Sequence, residues 1–169
     1  MTKNFLHKVK IYYEDTDSGG VVYYANYLKF LERARSEIIY SLGLTNKKLL
    51  TDHNTLIIVK SCNIKYKKPA RFEDVLTINS RLILISKVSF TMEQIIKRDN
   101  ETISDAEVVL VTVNNQGKPV KIPEVLLKSF EKILDESDDL LLKLILTGDA
   151  LPDHLDRQFF KKIKDFANG

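Results

Sequence analysis

Two carboxylates at alternate positions, Asp15 and Asp17, stand just ahead of the pair Gly19-Gly20. Acids spaced this way serve cation binding, nucleophilic attack or general-base catalysis. An EF-hand fails, because Gly19 falls at the fifth ligand position and no Glu closes the loop at the twelfth. A phosphatase-type Asp-x-Asp nucleophile wants Thr or Val where Gly19 stands, and a strand–helix alternation that this chain lacks. His7, His53 and His154 show no metal-ligand spacing, so no metal is expected. Neither a P-loop nor a dinucleotide fingerprint is present. What remains is a carboxylate beside the start of a helix. Unpaired N–H groups there carry about half a positive charge and can hold a developing oxyanion. Glycines let a substrate approach the backbone closely. The carboxylate can attack a carbonyl or activate water, and the lack of a strong general acid suits a substrate with a good leaving group. The plain alternative is that Asp15 or Asp17 caps the helix.

Two other groupings carry less. Cys62 with His53 suggests a nucleophilic pair, but Cys62 falls mid-strand, where a buried inert thiol is expected. The aromatic cluster Tyr12, Tyr13, Tyr23, Tyr24, Tyr27 and Phe30 reads as core. Tyr13 and Tyr24 flank the Asp-Gly-Gly loop and are the two placed to line a pocket.

The elements that must position these residues follow from hydrophobic period. Residues 6–13 alternate apolar and polar side chains and predict a first strand. Residues 14–20 are a loop by composition. From 25 to 42 the period turns helical, with Leu28, Leu31, Arg35, Ile38 and Leu42 on one face, Tyr27, Ala34 and Ile39 widening it, and Gly43 as C-terminal cap. A helix of that length spans about 27 Å, enough to cross a small sheet. A short helical turn at 46–51 precedes four strands at 55–66, 75–85, 88–98 and 103–114, rich in Ile, Val, Leu and Thr. Their short links predict an antiparallel meander. A further helix is predicted from Pro123 to Leu134. The class is therefore α+β: about five antiparallel strands wrapped around one long helix. A second copy pairing with the open sheet edge predicts a homodimer or homotetramer.

Residues 1–134 form the expected main domain, and residues 135–169 a helical extension broken at Gly148 and Pro152. The extension carries eight acids and five bases, whereas the whole chain is +3, so the main domain is basic. Lys60, Lys65, Lys67, Lys68 and Arg71 cluster in sequence and would suit a polyanion, or else discourage aggregation at a strand edge. A single cysteine, no signal-peptide-like apolar stretch and no run of about 20 apolar residues predict a cytoplasmic protein.

The run from Tyr12 to Leu28, continuing to Glu32-Arg33-Ala34-Arg35, resembles the 4-hydroxybenzoyl-CoA thioesterase family. Within it, the similarity is to the acyl-CoA thioesterases associated with the Tol-Pal envelope system, and it extends more weakly through 66–74 and 107–123. The resemblance implies the hotdog fold, sites between subunits, and hydrolysis of an acyl-CoA to carboxylate and CoA without a cofactor. By position, Asp17 matches the catalytic carboxylate and Tyr13 an active-site tyrosine. Gly20, Val21, Val22, Tyr23 and Tyr24 match the turn whose backbone amides polarise the thioester carbonyl. Tyr24 stands where many Tol-Pal-associated members have His, so an imidazole role is not available here. Lys65, Lys67 and Lys87 are candidates for the CoA phosphates. An acyl carrier protein or an envelope-associated protein is the implied partner, and nucleic acid is not expected. The competing class is a non-catalytic acyl-CoA or acyl-carrier-protein binding module, tethered through its acidic extension. A third reading, RNA binding by the basic domain, would show salt-sensitive RNA retention.

Overall fold

The computed structural model describes residues 4–131. The expected extension at 135–169, and the last turn of the helix predicted to Leu134, lie outside them. The elements run β1 (Phe5–Lys10), a 3-10 turn (Tyr13–Asp15), α1 (Asn26–Ser41), α2 (Asn46–His53), β2 (Leu56–Tyr66), β3 (Val75–Ile85), β4 (Ser89–Arg98), β5 (Glu101–Val113) and α3 (Glu124–Glu131). All five strands join one sheet in the order β1-β3-β4-β5-β2, every pair antiparallel. This is the expected α+β arrangement, with one correction. Only β3, β4 and β5 form a meander, while β2, earlier in sequence, adds to the far side of β5.

Two chain ends of elements show why the sequence breaks where it does. β1 stops at Lys10 rather than at Tyr13, because the Asp15 carboxylate takes the Tyr12 amide at 2.9 Å and folds the chain into the 3-10 turn. α1 ends as Gly43, at φ 76°, donates to Tyr40 O while Leu44 donates to Ile39 O. That pair of bonds closes the helix end, and only a residue tolerant of positive φ sits easily at its turn.

α1 lies across the inner face of the sheet. Tyr27, Phe30, Leu31, Ala34 and Ile38 are buried, and they share one core cluster with Leu76, Ile78, Leu82, Met92 and Ile96. One fully buried polar side chain interrupts this interface. Gln94 of β4 donates to Leu31 O at 3.1 Å and to Ser80 Oγ at 2.9 Å, and accepts from Arg35 Nη1 at 2.8 Å. Leu28, predicted on the core face, is 44% exposed, because the buried stripe of α1 is narrower than the apolar one.

β2 differs from its neighbours. Among the described residues it pairs only with β5, it carries a bulge between Val59 and Ser61, and most of its residues are exposed, Ile58, Val59 and Cys62 among them. Cys62 is thus mid-strand as expected but not buried. Its strand is an edge of the sheet, with β5 as its partner.

Candidate active site

The segment between β1 and α1 is held by a dense set of local bonds. Asp15 is buried: its carboxylate accepts from Tyr12 N, and its carbonyl accepts from Tyr23 N at 2.9 Å and from Asn26 Nδ2 at 2.9 Å. Asp17, two residues on, is exposed. Its Oδ1 accepts from Gly19 N at 2.8 Å, while Oδ2 has no partner among the described residues. Asp15 closes the 3-10 turn with its carboxylate folded back on Tyr12 N, and Asp17 lies beyond that turn, so one acid builds the loop and the other is presented by it. Neither caps α1, whose N-cap residue is Ala25 with no side-chain bond. Gly19 is needed where it stands, since a Cβ there would lie 3.1 Å from Asp17 Oδ1.

The backbone amides of the turn divide into two sets. Gly20 N donates to Asp17 O, Val22 N to Ala70 O and Tyr23 N to Asp15 O, so three of the amides named from sequence are already used by the fold. Val21 N and Tyr24 N donate to no acceptor among the described residues, and neither does Ala25 N, which sequence reasoning missed. Tyr24 and Ala25 directly precede α1, where the helix dipole adds positive potential.

The aromatic residues separate as well. Tyr27 and Phe30 are core, but Tyr12, Tyr13, Tyr23 and Tyr24 are exposed, against the core expectation. Tyr13 stacks on Phe72 with ring centroids 4.0 Å apart. Tyr23 and Tyr24 lie 4.7 Å apart, and hydrogen bonding to Tyr24, with the nearby Asp17 charge a smaller influence, pushes the Tyr23 hydroxyl up from its usual range. Tyr66, at the end of β2, donates to Tyr24 O at 3.1 Å and packs edge-on against Tyr27. Burial raises the Tyr66 hydroxyl, so it stays a neutral donor at ordinary pH. Tyr66 and Phe72 were not singled out from sequence. Their only signal was an aromatic residue on either side of Pro69-Ala70, which close on the loop through Val22 N to Ala70 O and a Val21–Arg71 bridge.

The lysine candidates are not equivalent. Lys65 and Lys67 flank Tyr66 and so lie at the Tyr24 end of β2. Lys67 is already engaged by Asp105 at 2.5 Å, and Lys68 pairs with Glu101. Lys87 sits in the β3–β4 turn, at the opposite end of the sheet from Val75 and the loop. The Cys62 thiol is pushed up by desolvation, against a smaller opposing pull from Arg35, which leaves it protonated and a poor nucleophile at neutral pH. No cluster of metal-ligating side chains occurs among the described residues, and no described helix is long and apolar enough to cross a membrane.

Between the C-terminal half of α1 and β2 lies a cleft of about 120 Å³, lined by Ile39, Ile57, Val59, Phe90 and Met92 with Arg35 and Glu32 on its wall. Its size is of the order of the roughly 150 Å³ apolar cavity that takes up benzene.

An antiparallel sheet wrapped on one long helix is the arrangement of the hotdog fold. Residues 12–130 match the model of the thioesterase-like superfamily, and the chain belongs to that family. It is 34% identical over 134 residues to the acyl-CoA thioesterase YbgC of Haemophilus influenzae, covering 79% of this chain and 98% of that one. A probable thioesterase from Bartonella henselae superposes with a TM-score of 0.69 at 32% identity, covering 71% and 99% of the two chains. A 4-hydroxybenzoyl-CoA thioesterase shares the fold, with a TM-score of 0.71 at 20% identity over 75% and 98%.

Proposed function

We propose that this protein hydrolyses acyl-CoA thioesters, with Asp17 as the catalytic carboxylate and the amides of Tyr24 and Ala25 as the oxyanion donors. The observation that carries the reading is local. An exposed carboxylate with one oxygen tied to Gly19 N and the other open stands in the same loop as amides that the fold leaves unbonded. The amides draw electron density from the thioester carbonyl and hold the oxygen as it becomes negative. Asp17 attacks the carbonyl carbon to give a mixed anhydride that water then cleaves, regenerating the carboxylate, or it takes the proton of a water that attacks directly; both routes need the same placement of its free oxygen. The carbon–sulfur bond then breaks and the electron pair leaves with sulfur. A thiol pKa of about 8.5 makes this a leaving group that needs little help from an acid. The family membership and the YbgC relative support a CoA thioester as substrate.

The working unit in this reading is a homodimer joined through the unpaired edge of β2, whose exposed Ile58 and Val59 would otherwise stay in water. Lys65, beside Tyr66 and without an ion pair among the described residues, is the candidate for a CoA phosphate at this end of the sheet. Residues 1–134 are the catalytic unit: a chain ending at Leu134 should still hydrolyse acyl-CoA, and an insoluble truncation would assign the extension to the core. The direct test is release of free CoA thiol from short, long and aromatic acyl-CoAs by the full chain. Binding without release, for every member of the panel, would replace hydrolysis by the acyl-CoA binding reading.

A further inference from the structure

Two observations set α1 and β2 running in opposite directions. At one end Tyr66 of β2 donates to Tyr24 O, just before α1. At the other end Ile39 of α1 and Ile57 and Val59 of β2 line the same cleft. Tyr24, Leu28, Glu32, Arg35 and Ile39 recur at three- and four-residue spacing, so they share the helix face along this track. The track starts at the free amides and ends in the apolar cleft.

Arg35 is the anomaly on that path. Its guanidinium is half-buried beside apolar side chains, and desolvation lowers its pKa, with Glu32 opposing more weakly. Among the described residues it donates one hydrogen bond, to Gln94 Oε1. That amide cannot turn away, because its nitrogen is committed to Leu31 O, a pure acceptor, and to Ser80 Oγ. Gln94 therefore fixes the guanidinium at the cleft wall while using one of its five donors. A plain alkyl chain lying against the rest would strip them of water and return nothing. An acceptor on the chain would restore the bonds with charge assistance.

We propose that Arg35 is a specificity-determining residue, selecting acyl groups that carry a carboxylate at the depth of the cleft over methyl-ended chains of the same length. This rests on the thioesterase reading for its choice of ligand. From the start of α1 to Arg35 the helix advances about 13 Å, so the acyl chain concerned is one long enough to span that distance.

The test uses non-hydrolysable CoA thioethers of a decyl chain, with the terminal carbon as methyl or as carboxylate, and measures Kd by calorimetry on the full-length protein. The wild type should bind the carboxylate form at least about tenfold more tightly, the lower end of what a lost charged hydrogen bond yields. Arg35→Met, similar in bulk, should remove or invert that preference, and Arg35→Lys should keep part of it. Equal affinities in the wild type, a preference for the methyl form, no binding of either thioether, or a preference that survives Arg35→Met would each overturn the proposal. Hydrolysis is read separately: a wild type that shows the preference but cleaves no acyl-CoA would sink the catalytic reading and leave Arg35 standing.

Discussion

α1 has two working sides, and they are built by different rules. Toward the middle of the sheet it is closed, with Phe30 and Leu31 fully buried and Tyr27 nearly so. On the side that meets the solvent near β2 it is open, with Leu28 exposed, Arg35 half-buried and a cleft beside Ile39. The closed side obeys packing alone, and its substitutions should change stability. The open side, with the loop that feeds it, carries polar groups that the fold does not need, and its substitutions should change chemistry. A helix that merely filled a core would show no such division.

The division breaks most sharply at the two acids of the loop. Asp17→Asn keeps the shape and still accepts from Gly19 N, but can neither attack a carbonyl nor accept a proton. It should lower kcat by about 10²–10⁴-fold with little change in KM, because the lost interaction acts in the transition state. Its Tm should match the wild type. Asp15→Asn should do the reverse, lowering Tm through a weakened bond to Tyr12 N while retaining most of kcat. Steady-state kinetics and thermal unfolding on both variants would check the pair. Near wild-type turnover by Asp17→Asn removes it from the mechanism.

On the helix itself, Leu31 and Leu28 lie three residues apart and differ only in what they face. Leu31→Ala empties a fully buried site and should cost about 2–5 kcal/mol by denaturant unfolding. Leu28→Ala should stay within about 0.5 kcal/mol, the usual range for a surface position, unless a second copy covers it. A large and concentration-dependent loss at Leu28 would place it in a subunit interface and sharpen the picture of the open side.

The closed side was legible in the sequence, because burial leaves a periodic signature. The strands from Val75 onward and the body of α1 follow their apolar patterns to within two residues. The open side was not. Ile57, Ile58 and Val59 read like a central strand, and only the sheet order reveals that β2 is an edge. Arg35 fits the spacing of the core stripe, but nothing local says that Gln94, fifty-nine residues away, would anchor it. Asp15 and Asp17 are equivalent as letters, and what separates them is which backbone amide each carboxylate meets. The same holds for the turn amides, whose availability depends on partners as distant as Ala70.

A smaller effect is expected at Gly19. An alanine Cβ there would sit 3.1 Å from Asp17 Oδ1, tight enough to shift the carboxylate by a few tenths of an ångström. Misplacement by about 1 Å costs roughly 10²-fold, so Gly19→Ala should lower kcat by about tenfold or less. If kcat falls as far as in Asp17→Asn, the amide of Gly19 or its close approach to substrate matters beyond holding the acid.

The smallest change is expected where the sequence looks most suggestive, at Tyr24. Its side chain is exposed, and no proton transfer in the proposed mechanism runs through its hydroxyl. What the site takes from this residue is backbone. Its amide is free, and its carbonyl receives the Tyr66 hydroxyl, which ties the loop to β2. Tyr24→Phe leaves both intact and should retain most of kcat toward the best substrate. Tyr66→Phe removes the tie and should cost about 0.5–1.5 kcal/mol, the net worth of one hydrogen bond. The two single variants therefore separate a side-chain role from a main-chain one within one contact. A fall in kcat for Tyr24→Phe as deep as that of Asp17→Asn would mean that the hydroxyl handles a proton, and the oxyanion donors alone would no longer account for the site.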